Sequence, residues 1–307
     1  MRIGFALPQF GIFADPTLVG EFSVLLENLG YDSLWVGDRI LGPLNPSDPY
    51  PVPTSNGVIP PEFGTHLDPI LTLTVAALST QRVRLGTSTL NALYMPPVLL
   101  ARSLTTLDLI SHGRLQVGLG LGWMRDEYAA VNVPWTGRGA RLDETLNVLQ
   151  SIWTSDIVQF EGEICKIPPS NIFPKPVQKP HPPIYLAGFA PAALERVGRR
   201  ADGWLGIAMP IADLSSLLES AREATERAGR DPSALEATLR INPEITNSPG
   251  MSFARDSIGT VEQVCEYINA AYAVGVTEAF VDVQTTARSM DEMSDTAEAI
   301  IAGLRTG

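Results

Sequence analysis

The first residues of the chain alternate between apolar and smaller or polar side chains, and the spacing then becomes helical. In MRIGFALPQF every second residue from position 3 to position 7 is large and apolar, which predicts a strand over 2–7. Asp15 and Pro16 suit the N-cap and first position of a helix, and apolar residues recur every three or four positions up to Gly30. The chain is therefore predicted to open with a strand followed by a helix.

The same order of strand and helix recurs along the whole sequence. The predicted strands cover 2–7, 31–36, 82–90, 114–120, 184–188, 203–208, 237–242 and 278–283. The predicted helices cover 16–29, 69–79, 97–111, 138–153, 191–200, 211–228, 260–274 and 290–304. Eight such units without a break in composition predict an α/β protein built as a single (β/α)8 TIM barrel over 1–307. An open, doubly wound sheet is the alternative that this order allows.

Two long stretches lack clear periodicity and are predicted to be insertions. They cover about 39–68 and 155–182, and both are rich in proline. Such barrels usually have about 250 residues, so the 307 residues here leave room for both insertions. The first insertion follows a strand, which places it on the rim where the active sites of these barrels lie.

Composition and charge exclude several classes of protein and of binding partner. The chain carries a net charge of −12, which argues against a nucleic-acid partner, and no apolar run is long enough to cross a membrane. The first residues lack the pattern of a signal peptide. The only cysteines, Cys165 and Cys265, have no metal-binding or redox spacing. A cytoplasmic protein is expected.

Three glycines spaced by two follow an alternating strand in RLQVGLGLGW. They are Gly118, Gly120 and Gly122, with Trp123 next. A dinucleotide-binding turn needs a different spacing and an acidic residue at the end of a second strand about 20 positions later, and neither is present. The glycines either let a flat ligand approach the backbone or relieve crowding at the barrel rim.

Residues at the carboxyl ends of the predicted strands are the candidates for the active site. They are Pro8 and Gln9; Asp38 and Arg39; Ser88, Thr89 and Asn91; Gly120, Gly122 and Trp123; Gly188 and Phe189; Ala208 and Met209; Asn242 and Glu244; and Gln284. These side chains are mostly amides, hydroxyls and glycines.

That set of residues excludes several mechanisms. All three lysines lie between 166 and 179, so no strand end offers a Schiff-base lysine. Of the three histidines only His66, in the first insertion, could reach the site, and no metal site is predicted. A bound cofactor is therefore expected to carry the reaction. In AGFAPAALERV a strand ends at Gly188 and a helix begins near Pro191, which would suit a phosphate group.

Several stretches together resemble the bacterial luciferase-like monooxygenase superfamily, whose members are flavin and deazaflavin enzymes. The matching stretches are GFALPQFG, LGYDSLWVGDR, RVRLGTSTL, ARSLTTLDLISHGRLQVGLGLGW, PKPVQKPHPPIYLAG, ADGW and IGTVEQV, in that order over almost the whole chain. The patterns VGDRILGP…PYP and GW…DEY…RGARLDE are similar to the branch that uses the deazaflavin coenzyme F420. The resemblance implies a (β/α)8 barrel.

The resemblance also implies roles for individual residues. In the family a non-proline cis peptide bond lies against the back of the flavin ring, and here that bond would be Ser88–Thr89. Asp38 would approach the reactive face and, with Arg39, is the catalytic candidate. The family often has His at the second of these positions, so Arg39 is a departure that puts a His-based acid–base role in doubt.

Further cofactor contacts are implied on the neighbouring strands. Asn91, Gly120, Gly122 and Trp123 would lie beside the ring and ribityl chain, and the backbone of Gly188 and Phe189 would cap the phosphate. His66, Tyr94 and Trp135 would line the substrate side. Arg138 and Arg141 could bind the acidic tail of the cofactor or form a solvated helix face.

Three functions follow from the resemblance. The first is an oxidoreductase that passes a hydride between coenzyme F420 and a small organic substrate. The second is an FMN-dependent monooxygenase that takes reduced flavin from a partner reductase and uses O2. The third is a non-catalytic flavin-binding protein. A homodimer is compatible with the family.

Overall fold

A computed structural model describes residues 2–51, 57–252 and 257–306 of the chain. Its strands are β1 (Arg2–Ala6), β2 (Ser33–Val36), β3 (Arg84–Thr87), β4 (Leu90–Asn91), β5 (Leu115–Gly120), β6 (Ile157–Glu161), β7 (Lys166–Asn171), β8 (Ile184–Ala187), β9 (Gly203–Ile207), β10 (Glu236–Ile241), β11 (Glu244–Ile245), β12 (Ile258–Gly259) and β13 (Glu278–Val281). Its helices are α1 (Pro16–Leu29), α2 (Pro69–Ser79), α3 (Pro97–Ile110), α4 (Arg125–Ala130), α5 (Arg138–Thr154), α6 (Pro191–Arg200), α7 (Ile211–Arg227), α8 (Val261–Ala273) and α9 (Met290–Thr306).

Eight parallel strands close into a barrel. Their order is β3, β2, β1, β13, β10, β9, β8 and β5, and β3 pairs with β5 to complete the circle. At the closing seam Leu85 lies opposite Leu115 and Gly86 opposite Gln116. The (β/α)8 prediction is confirmed, and the open-sheet alternative is wrong because the two end strands pair with each other.

The seam between β3 and β5 depends on a glycine. The Thr87 hydroxyl donates to the Gly118 carbonyl at 2.7 Å and accepts from the Gly118 amide at 2.9 Å. A Cβ atom on Gly118 would lie 1.7 Å from the Thr87 carbonyl oxygen. The close approach of the two strands therefore requires glycine at position 118.

Two apolar clusters fill the molecule. The larger one lies between the strands and the surrounding helices and includes Leu34, Leu85 and Leu119. The smaller one consists of Trp35, Tyr185, Leu205 and Phe280, which all come from strands and therefore fill the barrel interior. Since side chains alternate along a strand, residues two positions from these four also face the interior.

The helix starts follow the capping residues in the sequence. The Asp15 carboxylate accepts from the Thr17 amide at the start of α1, and Gly30 ends the helix with φ of 90°. Thr260 and Gln263 form a reciprocal capping box before α8. These contacts satisfy backbone groups that a helix end leaves unpaired.

The predicted irregular stretch 155–182 is partly wrong. It contains the antiparallel hairpin of β6 and β7. Both strands are largely exposed, and β7 contains two prolines. Proline is tolerated in such edge strands, but it interrupts the residue pattern by which a sequence predicts a strand.

The other differences in element bounds are local. The predicted strand 82–90 is split, because Ser88 and Thr89 separate β3 from β4. Within the first insertion, residues 52–56 lie outside the described part; the rest contains a short 3-10 turn, Pro61–Gly64. In the described ranges no helix is long and apolar enough to pass through a membrane.

Candidate active site

The carboxyl ends of the barrel strands form a mouth lined mainly by small side chains. The interior-facing residues nearest the mouth are Ala6, Gly37, Ser88, Gly120, Ala187, Ile207, Arg240 and Asp282. Ile207 faces the interior yet is 39% exposed, and Phe189 at the neighbouring strand end is 41% exposed. The mouth is therefore open beside β8 and β9.

The peptide bond between Ser88 and Thr89 is cis, as the resemblance implied. The Ser88 amide donates to the Val36 carbonyl at 2.7 Å, and the Ser88 carbonyl accepts from Arg240 Nη1 at 2.9 Å. These two bonds fix the segment between β3 and β4 against β2 on one side and β10 on the other.

Asp38 lies directly beyond the end of β2 and faces this segment. Its Oδ2 atom accepts the Asn91 amide proton at 3.0 Å. Burial, reinforced by the negative charge of nearby Glu127, raises the pKa of the Asp38 carboxyl to about 6, although the bond from Asn91 opposes the shift. The carboxyl can therefore gain or lose a proton close to neutral pH.

Arg39 is held by a buried carboxylate that the sequence analysis did not single out. Arg39 Nη1 lies 3.0 Å from Glu127 Oε2, and Glu127 is 1% exposed. Glu127 also accepts from the Ile40 amide at 3.1 Å and from the Tyr94 hydroxyl at 2.8 Å. Burial and the Glu127 charge raise the pKa of Tyr94, so its phenol stays protonated.

Aromatic rings surround the Arg39 guanidinium. Its central carbon lies 4.9 Å from the centre of the Trp123 ring and 5.4 Å from the centre of the Phe63 ring. Tyr50 packs on both rings, at 5.5 Å from Phe63 and 5.4 Å from Trp123. The first insertion thus covers one side of the mouth with aromatic side chains.

A second buried pair lies on the opposite side of the mouth. Arg240 forms an ion pair with Asp282, whose side chain is 4% exposed, while the Arg240 Nε atom is buried and has no partner in the described part of the chain. Gln284 donates from its amide nitrogen and its backbone to Asp282 Oδ1. Arg240 was missed because the sequence analysis considered the residues after its strand rather than the interior-facing one within it.

Gln9 ties the first insertion to the barrel. It is fully buried, its carbonyl accepts from the Gly37 amide, and its amide nitrogen donates to the carbonyls of Gly37 and Leu67. The side-chain oxygen of Gln284, Oε1, accepts from the backbone amide of Gln9 at 2.6 Å. The two glutamines therefore fix the loop that carries Asp38.

The glycine series on β5 makes contacts within the protein. A Cβ on Gly120 would lie 2.4 Å from Thr89 Oγ1, and one on Gly122 would lie 2.9 Å from Asn91 Nδ2. Crowding alone therefore accounts for glycine at these positions, and their contact with a cofactor stays a prediction. Gly188 has φ of 150°, and its carbonyl accepts from Trp204 Nε1 at 3.0 Å.

The three predicted substrate-lining residues lie on the side of the first insertion and α5. His66 forms a β-bridge with Phe10, and burial lowers its pKa. Trp135 packs edge-on against Tyr128 at 5.0 Å, and the Tyr128 ring packs against Tyr94 at 5.5 Å.

The structure brings most of the predicted residues into one region. Asp38 contacts Asn91, Arg39 contacts Trp123, and Tyr94 reaches Arg39 through Glu127. Gly188 and Phe189 lie across the barrel at the end of β8. Glu127 was within the DEY pattern already quoted, but its sequence position gave no indication that it would be buried. No cluster suited to a metal ion occurs among the described residues.

Comparisons with known proteins show the family to which the chain is similar. The family model described as luciferase-like monooxygenase matches residues 8–251. An uncharacterised protein of Mycobacterium tuberculosis is 32% identical over 221 residues, which are 71% of this chain and 77% of the relative. An F420-dependent glucose-6-phosphate dehydrogenase of Amycolatopsis mediterranei is 28% identical over 249 residues, 78% of this chain and 68% of that protein.

Solved structures share the fold over the full length. A monooxygenase from Streptomyces bottropensis has a TM-score of 0.80 at 22% identity, covering 100% of this chain and 99% of that chain. The coenzyme F420-dependent tetrahydromethanopterin reductase from Methanopyrus kandleri has a TM-score of 0.77 at 17% identity, covering 99% and 98% of the two chains. Since the family model spans most of the sequence, the chain belongs to the luciferase-like monooxygenase family and is an oxidoreductase.

Proposed function

We propose that the protein is a coenzyme F420-dependent oxidoreductase that transfers a hydride between the cofactor and a small organic molecule. The observation that carries this proposal is the partly buried Asp38 carboxyl at the open mouth, which has a pKa of about 6 and accepts the Asn91 amide proton at 3.0 Å. The F420-dependent dehydrogenase relative supports the choice of cofactor.

The residues at the mouth fit a flat, polar cofactor. The interior-facing positions near β3, β8 and β9 are small or partly exposed, which leaves room above the barrel core. Gly188 and the start of α6 would hold the phosphate through backbone amides. Arg138 stacks on Trp135 at 3.8 Å and has no ion pair with the described residues, so its charge is available for the acidic tail.

When bound, coenzyme F420 supplies a two-electron hydride donor or acceptor, and this chain supplies the proton and the positioning. Asp38 takes a proton from an alcohol or gives one to a carbonyl, since its pKa lies close to neutral pH. Asn91 holds one carboxyl oxygen, and Trp123 and Tyr50 exclude water from the same side. The rest of the rate enhancement comes from holding the cofactor and the substrate in the correct relative position.

The charge pattern of the mouth favours an uncharged substrate. Arg39 is neutralised by Glu127 and Arg240 by Asp282, so neither strand-end cation in the described residues is unpaired. A phosphorylated sugar is bound most strongly where such a cation is free to pair with its phosphate. We therefore propose an uncharged alcohol or carbonyl compound as the substrate and expect glucose 6-phosphate to give no reduction of F420.

Fluorescence titration of the purified protein with F420, FMN and reduced FMN tests the cofactor. Binding of F420 in the micromolar range, with FMN weaker by about tenfold or more, is the expected result. Preference for reduced FMN, together with oxygen consumption in the presence of a reductase, would instead establish the monooxygenase. Binding of none of them by folded protein would overturn both.

The pH dependence of turnover tests the role of Asp38. Alcohol oxidation needs the ionised carboxylate, so kcat rises with pH through about 6, whereas carbonyl reduction needs the acid and falls over the same range. Asp38→Asn should lose about 100-fold or more in kcat while keeping its affinity for F420. Loss of affinity with unchanged kcat would contradict this role.

A further inference from the structure

A second cavity lies at the end of the barrel opposite the mouth. Its volume is about 490 Å³, within the range of ligand pockets, which is about 300–1,000 Å³. Arg84 at the start of β3 lines it, whereas the cis bond follows the end of that strand, roughly 13 Å away at the rise of a strand. The cavity is therefore separate from the proposed active site.

Arg84 lines this cavity and has no partner among the described residues. Its side chain faces the barrel interior, because Leu85 packs in the outer cluster and a Cβ on Gly86 would meet the Trp35 ring. The guanidinium makes no hydrogen bond or ion pair with any residue that the structure describes. An interior-facing arginine in this state offers two parallel N–H groups to an incoming oxyanion.

A chain of polar groups forms the wall beside Arg84. Gln116 Nε2 donates to the Tyr185 hydroxyl at 3.0 Å, and Tyr185 donates to Glu236 at 2.5 Å. Gln116 is 2% exposed, and its side-chain carbonyl oxygen is buried without a partner among the described residues. Buried polar groups are nearly always paired, so this oxygen indicates a missing donor such as a ligand hydroxyl or a bridging water.

The local charge is positive although the whole chain carries −12. The lining has two carboxylates, Asp202 and Glu236, and Glu236 shares the Arg2 guanidinium with the buried Glu278. Arg114 donates to backbone carbonyls and to the Thr80 hydroxyl and so keeps its charge, and Lys179 adds another. A concave surface with this balance attracts anions despite the net charge.

We propose that this cavity is a second binding site for a small polar molecule with an oxyanion group, phosphoryl or carboxylate. Arg84 binds the oxyanion, Lys179 adds charge at the entrance, and the wall formed by Gln116 and Tyr185 recognises the polar remainder. The site binds its ligand whether or not the mouth holds a cofactor.

Calorimetric titration at constant ionic strength, with inorganic phosphate in one series and succinate in another, tests the site. The expected result is saturable binding with a dissociation constant in the millimolar range or below, reduced about tenfold or more by Arg84→Gln. Arg82→Gln is the matched control, because Arg82 lies two residues earlier and donates to the Glu27 carbonyl. It should change the affinity by less than about twofold.

The comparison of the two probes identifies the oxyanion. Tighter binding of phosphate assigns a phosphoryl ligand, and tighter binding of succinate assigns a carboxylate. If Arg84→Gln does not fold, Lys179→Gln replaces it and should weaken binding in the same direction. Absence of saturable binding to the wild-type protein, or equal affinity in the wild type and in the Arg84 or Lys179 variant, would overturn the proposal. So would full competition by F420 or FMN, which would place the anion at the mouth.

Discussion

At the scale of single residues, the environment of Asp38 couples function to stability. The Asp38 side chain is partly buried and lies near Glu127, and these two effects together raise the pKa of its carboxyl from 3.8 to about 6. Between these values the folded protein binds more protons than the unfolded chain, so stability falls as the pH rises through this window and stays lower above it.

Asp38→Asn removes this titration and keeps an oxygen that can accept from Asn91. We expect the variant to be more stable than the wild type at pH 7 by up to about 3 kcal/mol, with most of the difference gone at pH 4. Urea unfolding at both pH values measures it. Asp295→Asn, at an exposed position of α9, is the control and should show no such dependence. A variant less stable than the wild type at pH 7 would show that the ionised Asp38 carboxylate does not destabilise the folded protein.

Glu127 acts on a second residue, Arg39. The Arg39 side chain is 12% exposed, so Glu127→Gln leaves a charge with little access to water. We expect a loss of about 3 kcal/mol in the free energy of unfolding, read from denaturant midpoints at an unchanged slope. Glu161→Gln breaks an ion pair with Lys166 whose side chains are 75% and 69% exposed, and it should cost less than about 1 kcal/mol. Equal effects would mean that water already solvates Arg39.

At the scale of elements, the seam between β3 and β5 limits what position 118 tolerates. In Gly118→Ala the new methyl group would meet the Thr87 carbonyl at 1.7 Å and the Leu205 side chain at 2.7 Å. Since one of these neighbours is backbone, the strands must separate, at a cost of about 3 kcal/mol or more. Thermal unfolding measures the loss. Gly64→Ala is the control, because no atom lies within 4 Å of its new methyl group. A neutral Gly118→Ala would show that the seam can open without cost.

The elements also differ in how well a sequence can predict them. The barrel strands and their helices were found because their apolar residues follow periods of about two and 3.6. The hairpin β6–β7 was missed, since its exposure follows no regular alternation and prolines interrupt it. Helix α4, at Arg125–Ala130, was also not predicted, because one short helix gives too few turns to show a period.

At the scale of the whole molecule, one outer face remains apolar. Leu71 and Leu78 lie seven residues apart on α2 and are 67% and 70% exposed. Val24 on α1 and Leu99 on α3 are each 39% exposed on the helices that pack beside α2. Apolar residues grouped on adjacent helices are typical of a protein interface.

We therefore expect a homodimer that buries α2. Light scattering after gel filtration should give about twice the chain mass of 33.1 kDa for the wild type, since two-fold dimers are the commonest assembly. The double variant Leu71→Asp with Leu78→Asp should be a monomer. Leu44→Asp, at a position 96% exposed in the first insertion, should leave the dimer intact. A monomeric wild-type protein would contradict this prediction.

The sequence by itself determined the eightfold order of strand and helix, the helix caps and the set of residues at the strand ends. Each of these features is local, because a few neighbouring residues determine a period, a helix cap or the end of an element. The tertiary structure decided which of those residues meet. Glu127 reaches Arg39 from 88 positions away, and Arg240 reaches both Ser88 and Asp282. These pairs form only when the barrel closes and brings distant strand ends together, so no local pattern could have predicted them. The sequence also gives no sign that Arg84 lacks a partner among the described residues, because this is known only when its neighbours are in place.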